Sequence, residues 1–270
     1  MNRPVPPHMS SSARKPAGAS VVAGSRTRQR VAQERTRSRV IKERIRIAVR
    51  GVGEILITLG LVLLLFCGYQ LWWTDVTANA ATDKASDQLS QLFADAPVVT
   101  GPIPELATPA DGEPFARMFV PRFGDTWVKP IIQGVDMTDP HKGVGHYPKT
   151  ALPGEIGNFA VAGHRTTNGK PFRKVDQLEI GDKIFVETRD AWYTYVVYTT
   201  RLIVEPRSGY YVVSPSGTKD TTKRPTKKIM TLTSCHPPFS AAQRMITQAE
   251  LTDVRGKGQE PPPGLPVDAV

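Results

Sequence analysis

Cysteine and histidine together can carry out acyl transfer through a thiol, and both occur in the second half of this chain. Cys235 ends residues 228–235, a segment rich in β-branched residues that predicts a strand, and Pro237 and Pro238 prevent the strand from continuing. The end of a strand holds a side chain rigidly and leaves it accessible. Cys235 is therefore a candidate nucleophile, although a single cysteine is more often a small buried apolar residue.

A histidine could exchange the proton that such a thiol requires. His236 adjoins Cys235, but neighbours in an extended strand point to opposite faces, which argues against this pair. His164 follows the predicted strand 158–163, where Gly163 leaves the backbone room to turn. Spacing along the chain does not establish which histidine meets the thiol. The others are His8, in the N-terminal tail, and His141 and His146, which we expect to be exposed loop residues.

Acyl transfer also requires hydrogen-bond donors for a developing oxyanion. Arg244 lies nine residues after Cys235 and begins the next predicted strand. If these two strands pair, the Arg244 guanidinium returns to the thiol's end of the sheet, where its fork of donors suits an oxyanion. Arg165, beside His164, is the alternative.

The positive charge of the chain is concentrated at its N-terminus. Residues 1–50 carry 13 Lys and Arg against two Asp and Glu, whereas residues 51–270 carry 22 against 23. The net charge of +10 therefore belongs to a tail, which argues against a nucleic-acid-binding groove on the folded part. Residues 26–50 have apolar positions at helical spacing, which fits either a basic helix on an anionic membrane surface or a solvated tail.

An uncharged segment of 19 residues, 55–73, follows this tail. As a helix it would span ~28 Å, close to the ~30 Å core of a bilayer, and the Arg-rich flank orients its N-terminus to the cytoplasm. A cleaved signal peptide is the alternative, because Ala-Asn-Ala at 78–80 resembles a cleavage site, but the apolar run is longer than usual and ends in two tryptophans. We expect a retained single-pass anchor in the cell membrane. Since Cys67 lies inside the span, Cys235 has no intramolecular partner in the extracellular part, which indicates a thiol that is either paired with another molecule or reactive.

The chain beyond residue 115 predicts short strands separated by Gly and Pro, with at most one helical turn near 171–177 and long loops at 133–157 and 206–226. An all-β domain closed into a barrel is the simplest way for such strands to avoid open edges. The predicted strands are 116–121, 127–132, 158–163, 183–188, 192–205, 228–235 and 244–254.

Composition also divides the chain into segments. We expect a cytoplasmic tail at 1–50 that is disordered up to about residue 24 and basic beyond it, a transmembrane anchor at 51–73, an extracellular juxtamembrane helix and Pro-rich linker at 74–114, the catalytic β-barrel at 115–256 and a flexible Pro-rich tail at 257–270.

The chain contains three motifs in a fixed order, Ala162-Gly163-His164-Arg165-Thr166-Thr167, Thr231-Leu232-Thr233-Ser234-Cys235 and Ser240-Ala241-Ala242-Gln243-Arg244, supported by Gly145-His146-Tyr147-Pro148 and Leu152-Pro153-Gly154. Together they resemble the motifs of the sortases, membrane-anchored cysteine transpeptidases of Gram-positive cell surfaces. The similarity covers about residues 115–255 and is greatest to class E. Ser234 stands where the sortase signature Thr-Leu-x-Thr-Cys has Thr, a change that keeps the hydroxyl.

The resemblance implies an eight-stranded closed sortase β-barrel, with Cys235 as nucleophile, His164 as general acid and base, and Arg244 as the group that positions substrate and stabilises the oxyanion. The implied reaction cleaves a C-terminal sorting signal of LPXTG or LAXTG type between Thr and Gly through a thioester. The secreted protein that bears the signal then passes to an amine of a lipid-linked peptidoglycan precursor. The candidate substrate-binding residues are Tyr147, Thr233 and Ser234.

Two other functions are alternatives to a sortase. A membrane-tethered β-barrel that only binds peptide or wall material would leave Cys235 incidental. A second family of cysteine transpeptidases crosslinks the cell wall. Its members would require a Ser-x-Gly-Cys sequence, which is absent around Cys235. No metal-ligand cluster stands out in the sequence, so we expect no cofactor.

Overall fold

The computed structural model describes residues 20–69, 74–135, 143–206 and 209–266. The chain divides into two compact units, residues 1–66 and residues 67–270. Helix α1 extends from Ser20 to Gly68. Among the described residues it is the one helix long and apolar enough to cross a membrane. Its most apolar stretch of 18 residues has a mean hydropathy of 2.2 and is not buried against the rest of the protein.

The second unit contains helix α2, Thr74–Ala94, followed by eight strands and a helical turn, α3, at Tyr210–Val213. Short 3-10 turns lie at Pro121–Phe123 and Val175–Gln177. The strands are β1 (Pro114–Phe119), β2 (Val128–Gln133), β3 (Val144–His146), β4 (Gly157–Ala162), β5 (Lys183–Glu187), β6 (Ala191–Val204), β7 (Lys228–His236) and β8 (Gln243–Gly256).

The strands form a closed barrel in the order β1-β2-β3-β4-β7-β8-β6-β5. Two neighbouring pairs are parallel, β2 with β3 and β4 with β7, and the other pairs are antiparallel. Closure pairs the backbone groups that an open sheet would expose at its edges. The predicted all-β, eight-stranded barrel is confirmed.

Large apolar side chains fill the barrel. Phe159, Met230 and Leu232 are almost fully buried and belong to one cluster with residues from every other part of the wall. Burial of each such side chain contributes about 1.5–3 kcal/mol before the entropy of ordering is subtracted. This core fixes the positions of β4 and β7, the strands that lead to the candidate site.

All seven predicted strands are present, with ends that differ by up to two residues, and the predicted helical turn appears as the 3-10 turn at Val175–Gln177. Strand β3 and turn α3 were missed because both lie inside segments interpreted as loops. The expectation that His146 is an exposed loop residue is wrong, since it ends β3 and is 1% exposed. His141 lies outside the described residues.

Helix α2 packs on the barrel through one stripe of small and apolar residues. Ala78, Thr82, Ala85 and Leu89 recur at helical spacing and are all buried, and the helix contacts β1 and β2. Helix α2 lies within residues 74–114, where the sequence predicts a helix and a Pro-rich linker.

The segment between α2 and β1 also reaches the barrel. Ile103 and Leu106 pack, partly buried, against its main apolar cluster.

Candidate active site

Strand β7 carries Cys235 to one end of the barrel. Side chains alternate along a strand, so Cys235 shares a face with Thr231 and Thr233, opposite the core residues Met230 and Leu232. The thiol is half-buried, whereas the residues before it from Ile229 onward are buried. It is therefore held by a packed strand while remaining accessible on the outer face.

Arg244 lies directly opposite the thiol. The antiparallel register of β7 and β8 pairs Cys235 with Arg244, and side chains of such partners lie on the same face with Cβ atoms about 5 Å apart. Arg244 Nη1 donates to the carbonyl oxygens of Ala241 at 2.9 Å and Gln243 at 3.0 Å. The pairing on which the sequence argument depended is present, and the guanidinium is fixed at the start of its strand.

His164 follows the neighbouring strand at the same end. Strand β4 runs parallel to β7, and Ala162 lies opposite Thr233. The chain therefore leaves β4 beside the last residues of β7. The Gly163 amide donates to the Thr233 carbonyl at 3.1 Å, and the Ser234 hydroxyl donates to the Gly163 carbonyl at 2.8 Å. Thr233 and Ser234, proposed from the sequence as substrate-binding residues, are thus buried and connect the strand of the thiol to the backbone before His164.

Gly163 is required by close packing at this turn. A Cβ atom there would lie 2.5 Å from the ring of Phe172, which is fully buried. The Phe172 amide donates to the His164 carbonyl at 3.0 Å. Any larger residue would displace either the core or the imidazole.

Two side chains of the following loop approach the His164 ring. Asn168 Nδ2 lies 3.4 Å from Nε2, and Thr167 Oγ1 lies 3.5 Å from Nδ1. Both contacts lie at the long end of the hydrogen-bond range. They hold the ring of a residue whose backbone follows β4 at the thiol's end of the barrel.

Tyr147 lies on the same outer face, in an apolar cluster with Ala160, Val212 and Ile246. Burial raises the pKa of its hydroxyl, the positive charge of Arg244 opposes that shift, and the Cys235 thiolate adds to it. Tyr147 is therefore close enough to both groups to sense their charges. This arrangement gives the site one apolar wall.

Arg165, the alternative to Arg244, is engaged elsewhere. It is 5% exposed, its Nη1 donates to His236 Nδ1 at 3.0 Å, and its Nη2 lies 2.8 Å from a carboxylate oxygen of Asp176. His236 has the strand parity opposite to Cys235, as expected. The Arg165–His236 pair therefore belongs to the inner side of this end of the barrel.

A buried polar network holds the loop beyond β6 against the outer face. Asn158 Nδ2 donates to the carbonyl oxygens of Tyr211, Val212 and Ser214 at 2.9–3.2 Å, and its Oδ1 accepts from the Thr231 hydroxyl at 2.7 Å. Sequence reasoning missed Asn158, because only the fold brings a strand residue beneath a loop more than 50 positions away. The network positions turn α3 beside the apolar cluster of Tyr147.

His146 is a second residue that sequence reasoning misjudged. Its Nδ1 lies 2.6 Å from Gln133 Oε1, and its Nε2 lies 2.9 Å from Thr150 Oγ1 and 3.1 Å from the Ala151 carbonyl oxygen. Burial lowers its pKa from 6.5 to about 4, so the ring is neutral at pH 7. It supports the segment that leads into Tyr147.

Across the four described ranges, no three His, Cys, Asp or Glu side chains come together as metal ligands. The expectation that the protein uses no cofactor stays a prediction.

A closed β-barrel with a cysteine, a histidine and an arginine gathered at one end has the form of a cysteine-dependent enzyme. A family model described as the sortase domain matches residues 118–252. The chain belongs to the sortase family, whose members are cysteine transpeptidases, and it is class E-like.

Two curated relatives come from Streptomyces coelicolor. Sortase SrtE1 is 36% identical over 226 residues, 81% of this chain and 61% of that protein. Sortase SrtE2 is 37% identical over 216 residues, 76% of this chain and 82% of that protein. The chain thus spans about three fifths of the length of SrtE1.

A solved structure supports the same family. The structure of sortase E from Streptomyces avermitilis is 36% identical, with a TM-score of 0.52, and the match covers 58% of this chain and 99% of that one.

Proposed function

We propose that this protein is a membrane-anchored sortase that cleaves a C-terminal sorting signal of LPXTG or LAXTG type between Thr and Gly and transfers the resulting acyl group to a cell-wall amine. The observation that carries this proposal is the register of Cys235 with Arg244 at the end of the barrel where His164 leaves β4. Family membership supports the reaction class.

In the first step the Cys235 thiolate attacks the Thr carbonyl carbon of the sorting signal. A C–S bond forms, the carbonyl oxygen becomes an oxyanion, and the Thr–Gly C–N bond then breaks as His164 donates a proton to the departing glycine amine. A guanidinium carries five N–H donors, so the bonds from Arg244 Nη1 to two carbonyls leave Nε and Nη2 for the oxyanion or the substrate backbone. The product is a thioester on Cys235.

In the second step an amine replaces the thiol. His164, now neutral, accepts a proton from the attacking amine, a new amide bond forms, and the Cys235 thiolate leaves. We assign the amine to a lipid-linked peptidoglycan precursor of a Gram-positive cell wall, and the acyl donors to secreted proteins that bear a sorting signal. The apolar cluster around Tyr147 gives the signal peptide a surface beside the thiol.

The same proposal fixes the arrangement of the chain at the membrane. Residues 1–50 form a cytoplasmic tail, residues 51–73 cross the membrane once, and residues 74–114 lead outside the cell to the catalytic barrel at 115–256 and the tail at 257–270. The apolar stretch of α1 and the Arg-rich segment before it support this orientation.

The test uses the full chain in detergent micelles with a Leu-Ala-x-Thr-Gly peptide and a glycine-based amine. We expect cleavage after Thr and an amide product that contains the amine, and we expect both to disappear in Cys235→Ala. A product formed undiminished by Cys235→Ala would overturn the nucleophile assignment. Binding of the peptide without any cleavage would instead favour a tethered binding module.

A further inference from the structure

The loop after His164 contains a run of unusual backbone. Asn168, Gly169 and Lys170 have φ angles of +52°, +71° and +50°. Glycine and, to a lesser degree, asparagine adopt this left-handed region readily, but lysine does so at a cost of about 1 kcal/mol. Such a turn persists only where surrounding contacts hold it. Asn168 is also the residue whose side chain meets His164 Nε2.

The contact that holds this turn comes from helix α2. Asp75 Oδ1 accepts from the Gly169 amide at 3.3 Å, and Asp75 Oδ2 forms an ion pair with Lys170 Nζ. The Asp75 and Lys170 side chains are 21% and 28% exposed, so water screens the pair only in part. One carboxylate therefore binds the backbone of the turn and the side chain of its most strained residue.

Helix α2, which carries Asp75, is packed against the barrel. Asp75 lies in the first turn of the helix, where a carboxylate is favoured by the helix dipole. Four positions further on, Asn79 comes so close that a Cβ atom on Gly169 would lie 3.2 Å from its Oδ1, and the neighbouring Ala78 is fully buried. The helix and the turn are thus closely packed at Gly169.

We propose that Asp75 is a positioning residue for His164. By holding Gly169 and Lys170, the Asp75 carboxylate keeps Asn168 and Thr167 against the imidazole and so fixes the ring for proton transfer. Asp75 touches neither thiol nor substrate in this account, and the inference rests on the acid–base role proposed for His164.

The expected signature is a loss of turnover without a loss of binding. Asp75→Asn keeps a hydrogen-bond acceptor for Gly169 but removes the charge that pairs with Lys170. A misplaced proton donor slows bond cleavage, so we expect kcat to fall about tenfold with KM changed less than twofold. Asp87→Asn, at an exposed position of the same helix, is the matched control and should retain parental kcat.

A charge exchange separates positioning from general destabilisation. Lys170→Asp places two carboxylates together and should lower kcat further than Asp75→Asn. Addition of Asp75→Lys to Lys170→Asp restores the attraction in reverse but leaves the Gly169 amide without its acceptor, so we expect part of the lost activity to return. All variants are measured as full chains in the same micelles. Parental kcat in Asp75→Asn, or no recovery in the exchanged pair, would overturn the proposal.

Hydrogen exchange tests the contact without using activity. The Gly169 amide donates to Asp75, so its exchange should accelerate in Asp75→Ala, which removes the acceptor, and stay unchanged in Asp87→Ala, while the strand amides of β4 and β7 remain protected in both. Unchanged exchange at Gly169 would disprove the contact even if the peptide assay fails for every variant. If the parent cleaves no sorting peptide but Gly169 responds, the proposed function fails while the contact stands.

Discussion

Cys235 and Arg244 owe their proximity to a register and not to their separation in sequence. The eight residues between them contain the Pro-Pro sequence and the connection to β8, and the two strands then pair residue for residue back along the barrel. The side chains of the pair must therefore lie on one face. His164 enters from a third strand, so three separate segments converge on one end of the barrel.

A substitution of Arg244 tests the forked contact. Arg244→Lys keeps the positive charge but offers a compact ammonium in place of a planar fork, so we expect kcat/KM on the sorting peptide to fall about 10- to 100-fold. Arg189→Lys, at an exposed position away from this face, should leave kcat/KM unchanged. An Arg244→Lys enzyme with parental rates would show that charge alone suffices.

The short strand β3 has only three residues, but its pairing places a polar side chain, His146, inside the protein. Its parallel pairing with β2 aligns Gln133 with His146, and their side chains form a buried hydrogen bond. The ring is also packed against Phe159 at 5.2 Å between centroids. A protonated imidazole is costly in such surroundings.

The pH dependence of stability follows from this burial. The pKa of His146 is about 4 in the folded protein against an ordinary value of 6.5. At a pH between these two values, His146 is protonated in the unfolded chain and neutral in the folded chain. The contribution of His146 is complete above pH 6.5 and is lost as the pH falls to 4, by about 3 kcal/mol in the free energy of unfolding. Urea unfolding of the parent and of His146→Asn at pH 7 and pH 4 measures it. The stability difference between the two proteins should shrink by that amount, and an equal difference at both pH values would contradict the assignment.

The strands most easily predicted were those with enough β-branched and aromatic residues to show a pattern, such as β6 and β7. Strand β3 escaped because three residues, one of them glycine, carry too little periodicity, and its pairing with β2 is non-local. Asp75 and Asn158 escaped for a related reason. Each acts through backbone groups of a distant loop, and backbone groups leave no trace in residue identity.

Charge is distributed unevenly along the whole chain, because the N-terminal segment is rich in arginine and the rest has almost no net charge. The excess of positive charge lies before the apolar stretch, and the remaining 220 residues are close to neutral. Such asymmetry is what orients a single-span protein during insertion. The proposed location of the candidate active site outside the cell thus depends on residues far from it in sequence.

Protease treatment of intact cells tests this topology. We expect added protease to remove an epitope at the C-terminus of the full chain and to spare one at the N-terminus, because in the proposed topology only the former lies outside the cell. Replacement of Leu63 and Leu64 by Arg should release the chain from the membrane fraction, since each charge at the centre of a span costs about 3 kcal/mol. Loss of the N-terminal epitope from intact cells would reverse the proposed orientation.

The most direct measurement is the mass of the enzyme during turnover. The full chain is incubated with the Leu-Ala-x-Thr-Gly peptide without an amine acceptor, quenched in acid and examined intact and after digestion. We expect an added mass equal to the peptide up to its Thr residue, located on Cys235, removed by hydroxylamine and absent from Cys235→Ala. Peptide cleavage with no such adduct, or an adduct on any other residue, would contradict it.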